Sequence, residues 1–190
     1  MHNKLCWNNH IQNVCKKANS SLGFLRRNLQ ISQTHIKASA YTALVRPQLE
    51  YAAAVWDPHT KENQNKIEMV QRRAARFACK NYDMKASVTT MLQNLGWRSL
   101  LQRRADLRLV LFYKCLHGLV AVDLSPDLIP KQRCSRHSHP MSFVIPVESK
   151  VYLQKSFLPR TITQWNSLPA SIALSTNIDA FKEGVSGITH

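Results

Sequence analysis

The sequence predicts a mainly α-helical protein, a helical bundle followed by a second helical segment with a small β-hairpin. Three observations predict it. Apolar residues recur at intervals of three and four in successive segments, the period of one helix face. The glycines, only five in 190 residues, include two that close such segments, as helix C-termini favour. Residues rich in β-branched and aromatic side chains gather in Met141–Val147 and Val151–Leu153, around "ESK".

From Asn8, read as an N-cap, the residues Ile11, Val14, Cys15, Ala18, Leu22, Leu25 and Leu29 form one stripe, with Lys16, Lys17, Arg26 and Arg27 largely off it. Ser32 is expected to cap a second helix that carries Ile36, Ala40, Ala43 and Leu44 inward. Pro47 lacks a backbone donor and crowds the Ala43 carbonyl, which predicts a kink before the pattern resumes at Leu49, Ala52, Ala53 and Trp56. The string "WDPHT" ends that helix, because Asp57 precedes a proline. A third helix, about Lys61 to Lys80, sets Ile67, Val70, Ala74, Phe77 and Ala78 on one side and Arg72, Arg73, Arg76 and Lys80 on the other. Three amphipathic helices of this length bury their stripes against one another, so residues 1–80 read as a three-helix bundle with a cationic exterior.

Residues 81–118 read as a helical extension. Ser87 caps a short helix through Met91, Leu92 and Leu95 that Gly96 stops. A stronger helix from about Ser99 to His117 is expected to bury Leu101, Ala105, Leu109, Phe112 and Leu116, to show Arg103, Arg104 and Arg108 outward, and to end at Gly118. Residues 119–140, with three prolines and no sustained period, read as a loop. Residues 141–190 read as a small α+β tail: a hairpin of Met141–Val147 with Val151–Leu153, the first strand demoted to an edge by Pro146, then two short helices around a Leu-Pro turn.

Charge narrows the function. Against 11 Asp+Glu stand 26 Lys+Arg, a formal net charge of +15, so the natural partners are polyanions, nucleic acid before anionic membrane. Thirteen of the cations, with only four acids, fall in residues 1–80. The five cysteines are odd in number and widely spaced, as expected in a reducing compartment. No apolar run reaches the roughly 18–20 residues that cross a bilayer, and the N-terminus lacks a signal-peptide core. The expectation is an intracellular protein of nucleus or cytoplasm, not secreted and not a membrane protein. Met1 leads almost directly into helical pattern, as in a segment of something longer.

Catalytic constellations are not found. Two-metal polymerase or nuclease chemistry needs converging carboxylates, and the eleven acids include no adjacent pair. Asp123 and Asp127, separated by Pro126, fit a loop or helix start. Cys134, His137 and His139, with Cys115 and His117 upstream, lack a second paired knuckle and read as a basic loop rather than a zinc site. No glycine-rich phosphate loop or nucleophile-base set declares itself, and His35 and His59 read as helix-surface or turn residues. No catalytic or metal-ligating residue is predicted. Tyr41, Tyr51 and Trp56, at helical spacing, read as core before base-stacking platforms. A cationic helix face is ordinarily a solvated surface; three of them unbalanced by acids point to a grip on phosphate backbone without sequence reading.

Five blocks occur in order: "WNNHIQNVCKKANSSLGFLRRNL", "KASAYTALVRPQLEYAAAVWDP", "EMVQRRAARF", "LGWRSLLQRRADLRLVLFYKCLHG" and "SFLPRTITQWNSLP". Together they resemble the C-terminal, thumb and post-thumb part of reverse transcriptases from non-LTR, LINE-type retrotransposons, jockey-like elements in particular. The resemblance implies that residues from about 8 to 80 correspond to the thumb, which closes over the template-primer duplex. It also implies an RNA-directed DNA polymerase that uses Mg2+ at an Asp-Asp hairpin in the palm. No such hairpin stands in this sequence, so no cofactor is expected in this chain, the isolated chain is expected to be inactive, and the palm and fingers are implied partners. Lys16, Lys17, Arg26, Arg27, Arg46, Arg72, Arg73, Arg76, Lys80, Arg103 and Arg104 are the expected backbone contacts to RNA/DNA or RNA duplex, with Leu25, Leu44, Trp56, Val70 and Phe77 holding the bundle. Trp165 and Asn166 are expected to be structural, an anchor and a turn cap. The competing reading is a basic helical interaction module, or a domesticated or degenerate one, with no nucleic-acid function.

Overall fold

A computed structural model describes residues 7–132, 139–147 and 149–188. The protein is mainly α-helical. In order the helices are α1 (Asn8–Asn28), α2 (Thr34–Leu44), α3 (Arg46–Glu50), α4 (Ala53–Trp56), α5 (Lys61–Ala78), α6 (Val88–Asn94), α7 (Leu100–Leu116), α8 (Val151–Gln154), α9 (Phe157–Asn166), α10 (Ala170–Ala173) and α11 (Ile178–Gly187). The chain divides into two compact units, residues 1–101 and 102–190, the division falling just inside α7. The helical extension read over 81–118 is thus split between them.

In the first unit α1 and α5 run side by side in the same direction. Asn63 Nδ2 donates to Asn8 Oδ1 (2.7 Å) and Arg73 Nη1 to Asn19 Oδ1 (3.1 Å), a nearly constant offset in sequence. The turn after α1 reverses the chain, so α2 lies antiparallel to α5, with Tyr41 Oη donating to Gln71 Oε1 at 3.1 Å. Ile11, Leu22, Leu25, Tyr41, Leu49, Trp56, Ile67, Val70 and Phe77 make the core, each large apolar side chain worth about 1.5–3 kcal/mol on burial. Gln71 is a buried polar residue beside them; it passes a hydrogen bond from Tyr41 to the Arg98 carbonyl at 3.0 Å, which meets the demand of a buried amide.

Several sequence expectations are corrected here. Asn8 is the first residue of α1, not its cap, and its side chain serves Asn63. The N-cap of α2 is Gln33. The inward face of α2 is Lys37, Tyr41 and Val45, whereas Ile36, Ala43 and Leu44 are exposed. The helix carries apolar side chains on both faces, so its period sets a spacing without setting a phase, and the Tyr41–Gln71 pairing selects the phase. Leu44 therefore does not hold the bundle. At Pro47 the helix breaks rather than kinks: α2 ends at Leu44 and Pro47 sits in the first turn of α3, where its missing donor costs nothing. Tyr51 is exposed, and its carbonyl accepts from Trp56 Nε1 at 2.8 Å.

Three helices end in the same way. In α5, α6 and α7 the residue after the C-cap donates to the carbonyl three back and the next residue to the carbonyl five back. This motif needs a positive φ at its turning residue. Gly96 (φ 64°) and Gly118 (φ 63°) supply it where the sequence placed them, but α5 uses Lys80 at φ 52°. Ser87 caps α6 through Thr90 N.

In the second unit α7 packs Leu109, Phe112 and Tyr113 against Phe143, Ile162, Trp165, Phe181 and Val185. The hairpin is corrected. Val151–Gln154 is a helical turn, and among the described residues β structure is an isolated antiparallel bridge between Pro130 and Phe143. Lys131 N donates to the Ser142 carbonyl (2.9 Å) and Val144 N to the Ile129 carbonyl (2.7 Å), so the 141–147 segment pairs backward, with residues read as loop. The far side of Phe143 is taken by Asn166, whose Oδ1 accepts from Phe143 N (2.9 Å) and whose Nδ2 donates to Phe143 O (2.7 Å). A side-chain amide thus stands where a second strand would pair. Trp165 is fully buried and donates Nε1 to the Met141 carbonyl at 2.7 Å.

Candidate nucleic-acid interface

The cationic side chains expected to meet duplex are distributed unequally. Lys16 and Lys17 are exposed midway along α1, Arg72 and Arg73 are exposed on α5, and Arg46 is half-buried at the start of α3. Arg76 is half-buried and donates Nη1 to the Asp83 carbonyl at 2.7 Å, which commits it to the turn after α5. Arg103 is half-buried in the second unit. Arg104 is a correction: it is fully buried, and Arg108, expected outward with it, is 3% exposed. The buried side of α7 holds Ala105, Leu109 and Phe112 of the expected stripe, but it also takes in Leu100, Arg104 and Arg108, and it leaves Leu101 exposed. Arginine permits this because its three-carbon stem packs as an apolar surface.

Arg26, Arg27 and Lys80 are brought together. They line an open groove of about 610 Å³ at the end of the bundle where α1 and α5 finish and α2 begins, with Gly23, Gln30, Lys37, Phe77 and Tyr82. Among the described lining residues four are cations and none is a carboxylate. Arg26 lies over the Tyr82 ring (5.4 Å to its centroid) and Lys37 over the Phe77 ring (5.3 Å). Ring faces attract cations, which holds long side chains in place while leaving their charge unneutralised.

Helix ends explain part of this. The last turns of α1 and α5 expose carbonyls whose partial negative charge favours Arg26, Arg27 and Lys80. Lys37 has no such explanation, because it stands in the N-terminal part of α2, where the helix field disfavours a cation. It is only 2% exposed. Lys80, too, occupies a left-handed backbone position that a glycine would take more cheaply. Two of the four cations are therefore placed against local preference, in one groove. Sequence reading missed Lys37 and Tyr82. Lys37 lies four residues before Tyr41, at the border of the expected stripe and beside Leu44 on the helix circumference, and Tyr82 is the aromatic in the break "NYDMKAS".

The other sequence candidates resolve as follows. His139 is buried with Nε2 donating to the Trp165 carbonyl at 2.9 Å, so that nitrogen is not offered to a metal. The His117 ring lies tilted against Tyr113 (centroids 4.1 Å apart, planes at 31°). Cys134 and His137 lie outside the described residues, and among the described ones no group of three potential ligands gathers. Burial pushes the thiols of Cys79 and Cys115 up. Asp123 is held below the usual carboxylate range by hydrogen bonds from the Ser125 side chain and backbone, a turn rather than a catalytic acid. No helix among the described residues is long and apolar enough to cross a membrane.

Fold and groove together define a basic, mainly helical protein with an open cationic groove at one end of its N-terminal bundle. Scans against protein-family models, curated proteins and solved structures each find no match.

Proposed function

We propose that this chain is a catalytically incomplete part of a non-LTR retrotransposon reverse transcriptase whose N-terminal bundle holds template-primer duplex by its phosphate backbone. The observation that carries the reading is the groove lined by Arg26, Arg27, Lys37 and Lys80 with no carboxylate among its described lining residues. Its two aromatic rings orient cations rather than reading base edges, which fits grip without sequence specificity. The five ordered sequence blocks supply the family, and the lack of paired carboxylates supplies the incompleteness.

Primer extension with magnesium on an RNA template is the first test, and the isolated chain is expected to add no nucleotide. Binding of a short RNA/DNA duplex is the second. Arg26→Gln/Arg27→Gln is expected to weaken it about tenfold or more, since each charge-assisted phosphate contact is worth roughly 1.5–3 kcal/mol. DNA synthesis by the isolated chain refutes the incompleteness, and duplex binding unchanged by the double variant refutes the groove. A basic protein-interaction module is the outcome left if the fold is intact and duplex does not bind.

A further inference from the structure

The groove of the first unit is deeper than a duplex can use. Arg26, Arg27 and Lys80 stand exposed at it, but Lys37, which also lines it, is only 2% exposed. A double helix laid across the rim meets the first three and does not reach the fourth. A ligand that enters has to be smaller. Cavities of roughly 300–1,000 Å³ take small organic ligands, and the groove, at about 610 Å³, has the size for a single nucleotide.

The wall that such a nucleotide meets carries an aromatic ring. Tyr82 lines the groove with Arg26 over its ring, 5.4 Å from the centroid, yet it remains 50% exposed, so the ring keeps surface for a second flat partner. Phe77, the other ring of the groove, is 3% exposed and lies under Lys37. Tyr82 is also held in place. Asn81 N donates to the Arg76 carbonyl (3.0 Å), Asp83 N to Asn81 Oδ1 (3.0 Å) and Arg76 Nη1 to the Asp83 carbonyl (2.7 Å), which ties the chain on both sides of the ring. Cations for phosphates with an exposed ring beside them are the combination that binds unpaired strands, because an unpaired base has a π-face to offer.

We propose that the groove takes an unpaired nucleotide from a single-stranded end of the bound duplex, its base stacked on the Tyr82 ring and its phosphates among Arg27, Lys37 and Lys80. The inference rests on the duplex reading above and adds to it a subsite for one nucleotide outside the paired region. Stacking tolerates any base, so the subsite distinguishes the state of the strand and not its sequence.

Titration of the full chain with three RNA/DNA probes tests it: a blunt duplex, the same duplex with a short single-stranded extension, and the same extension made of abasic sugar-phosphate. The two extended probes carry equal charge and differ in their bases alone. The base-bearing extension is expected to bind about tenfold more tightly than the abasic one, the size of one stacking contact. Tyr82→Leu is expected to bring that ratio to about one, and Tyr82→Trp to keep it. Tyr82 is exposed, so neither variant disturbs the core, and the ratio reads stacking apart from any change in overall affinity. With blunt duplex bound, a ratio near one in the unaltered chain, or a ratio that survives Tyr82→Leu, overturns the subsite alone. Absence of binding to all three probes overturns the duplex reading and the subsite together.

Discussion

Lys80 shows how a single residue couples stability to binding. Its φ of 52° closes α5 in a motif that α6 and α7 close with glycine. An L-residue in the left-handed region costs roughly 1 kcal/mol, so Lys80→Gly is expected to raise unfolding free energy by about 0.5–1 kcal/mol while weakening duplex binding. Denaturant melts and a binding titration of the same variant check both; a variant that is more stable and binds equally well removes Lys80 from the interface. Asn166 makes a different demand. Its amide satisfies both backbone groups of Phe143, and Asn166→Ala is expected to cost about 2–3 kcal/mol, read by urea unfolding, because a buried polar group left without a partner costs 1–3 kcal/mol. At Cys79 and Cys115 burial raises the thiol pKa. A raised pKa leaves less thiolate at a given pH, so alkylation of both at pH 8, followed by peptide mass mapping, is expected to be slower in the folded chain than in urea. Equal rates contradict the shielding.

At the scale of elements, the groove exists because three helix ends meet. The parallel run of α1 and α5, tied at Asn8–Asn63 and Asn19–Arg73, brings two C-termini to one place, and the reversal into α2 adds an N-terminus. Cations on α1 and α5 were legible in the sequence, since Arg26, Arg27 and Lys80 lie off the apolar stripes. Lys37 was not, because α2 has apolar residues on both faces and only contact with Gln71 decides which one turns inward. For the same reason α7 offered a plausible stripe through Leu101, yet Leu101 is exposed and Arg104 and Arg108 are enclosed. Amphipathic period is a reliable guide where one face is polar but for a single residue, as on α5 with Met69, and an ambiguous one where long aliphatic stems can substitute for apolar side chains.

For the molecule as a whole, the net charge of +15 makes attraction to any polyanion certain in sign, and its salt dependence reports how many charges take part. Four groove cations, each releasing about 0.9 counterion per phosphate neutralised, predict a slope of about −4 in log K against log salt concentration. A filter-binding or fluorescence titration across a range of salt measures it. A slope near zero removes backbone binding, and one near −7 shows that the outlying cations Lys16, Lys17, Arg72 and Arg73 also contact the strand. The exposed Ile31, Ile36, Leu44, Tyr51 and Val55 add an apolar component to the surface of the first unit.

The sequence by itself determined the helical class, the turning residues Gly96 and Gly118, the Ser87 cap and the concentration of charge in the first eighty residues. These are local properties, set by backbone conformational preference and by composition. Only the tertiary structure decided which face of α2 is buried, that α7 also encloses Arg104 and Arg108, that residues 142–144 pair backward with 129–131 and Phe143 with the Asn166 amide, and that Arg26, Arg27, Lys37 and Lys80 share one groove. Those outcomes depend on partners thirty or more residues away in most cases, and a periodicity read along the chain carries no information about which distant side chain completes a hydrogen bond or takes up a charge.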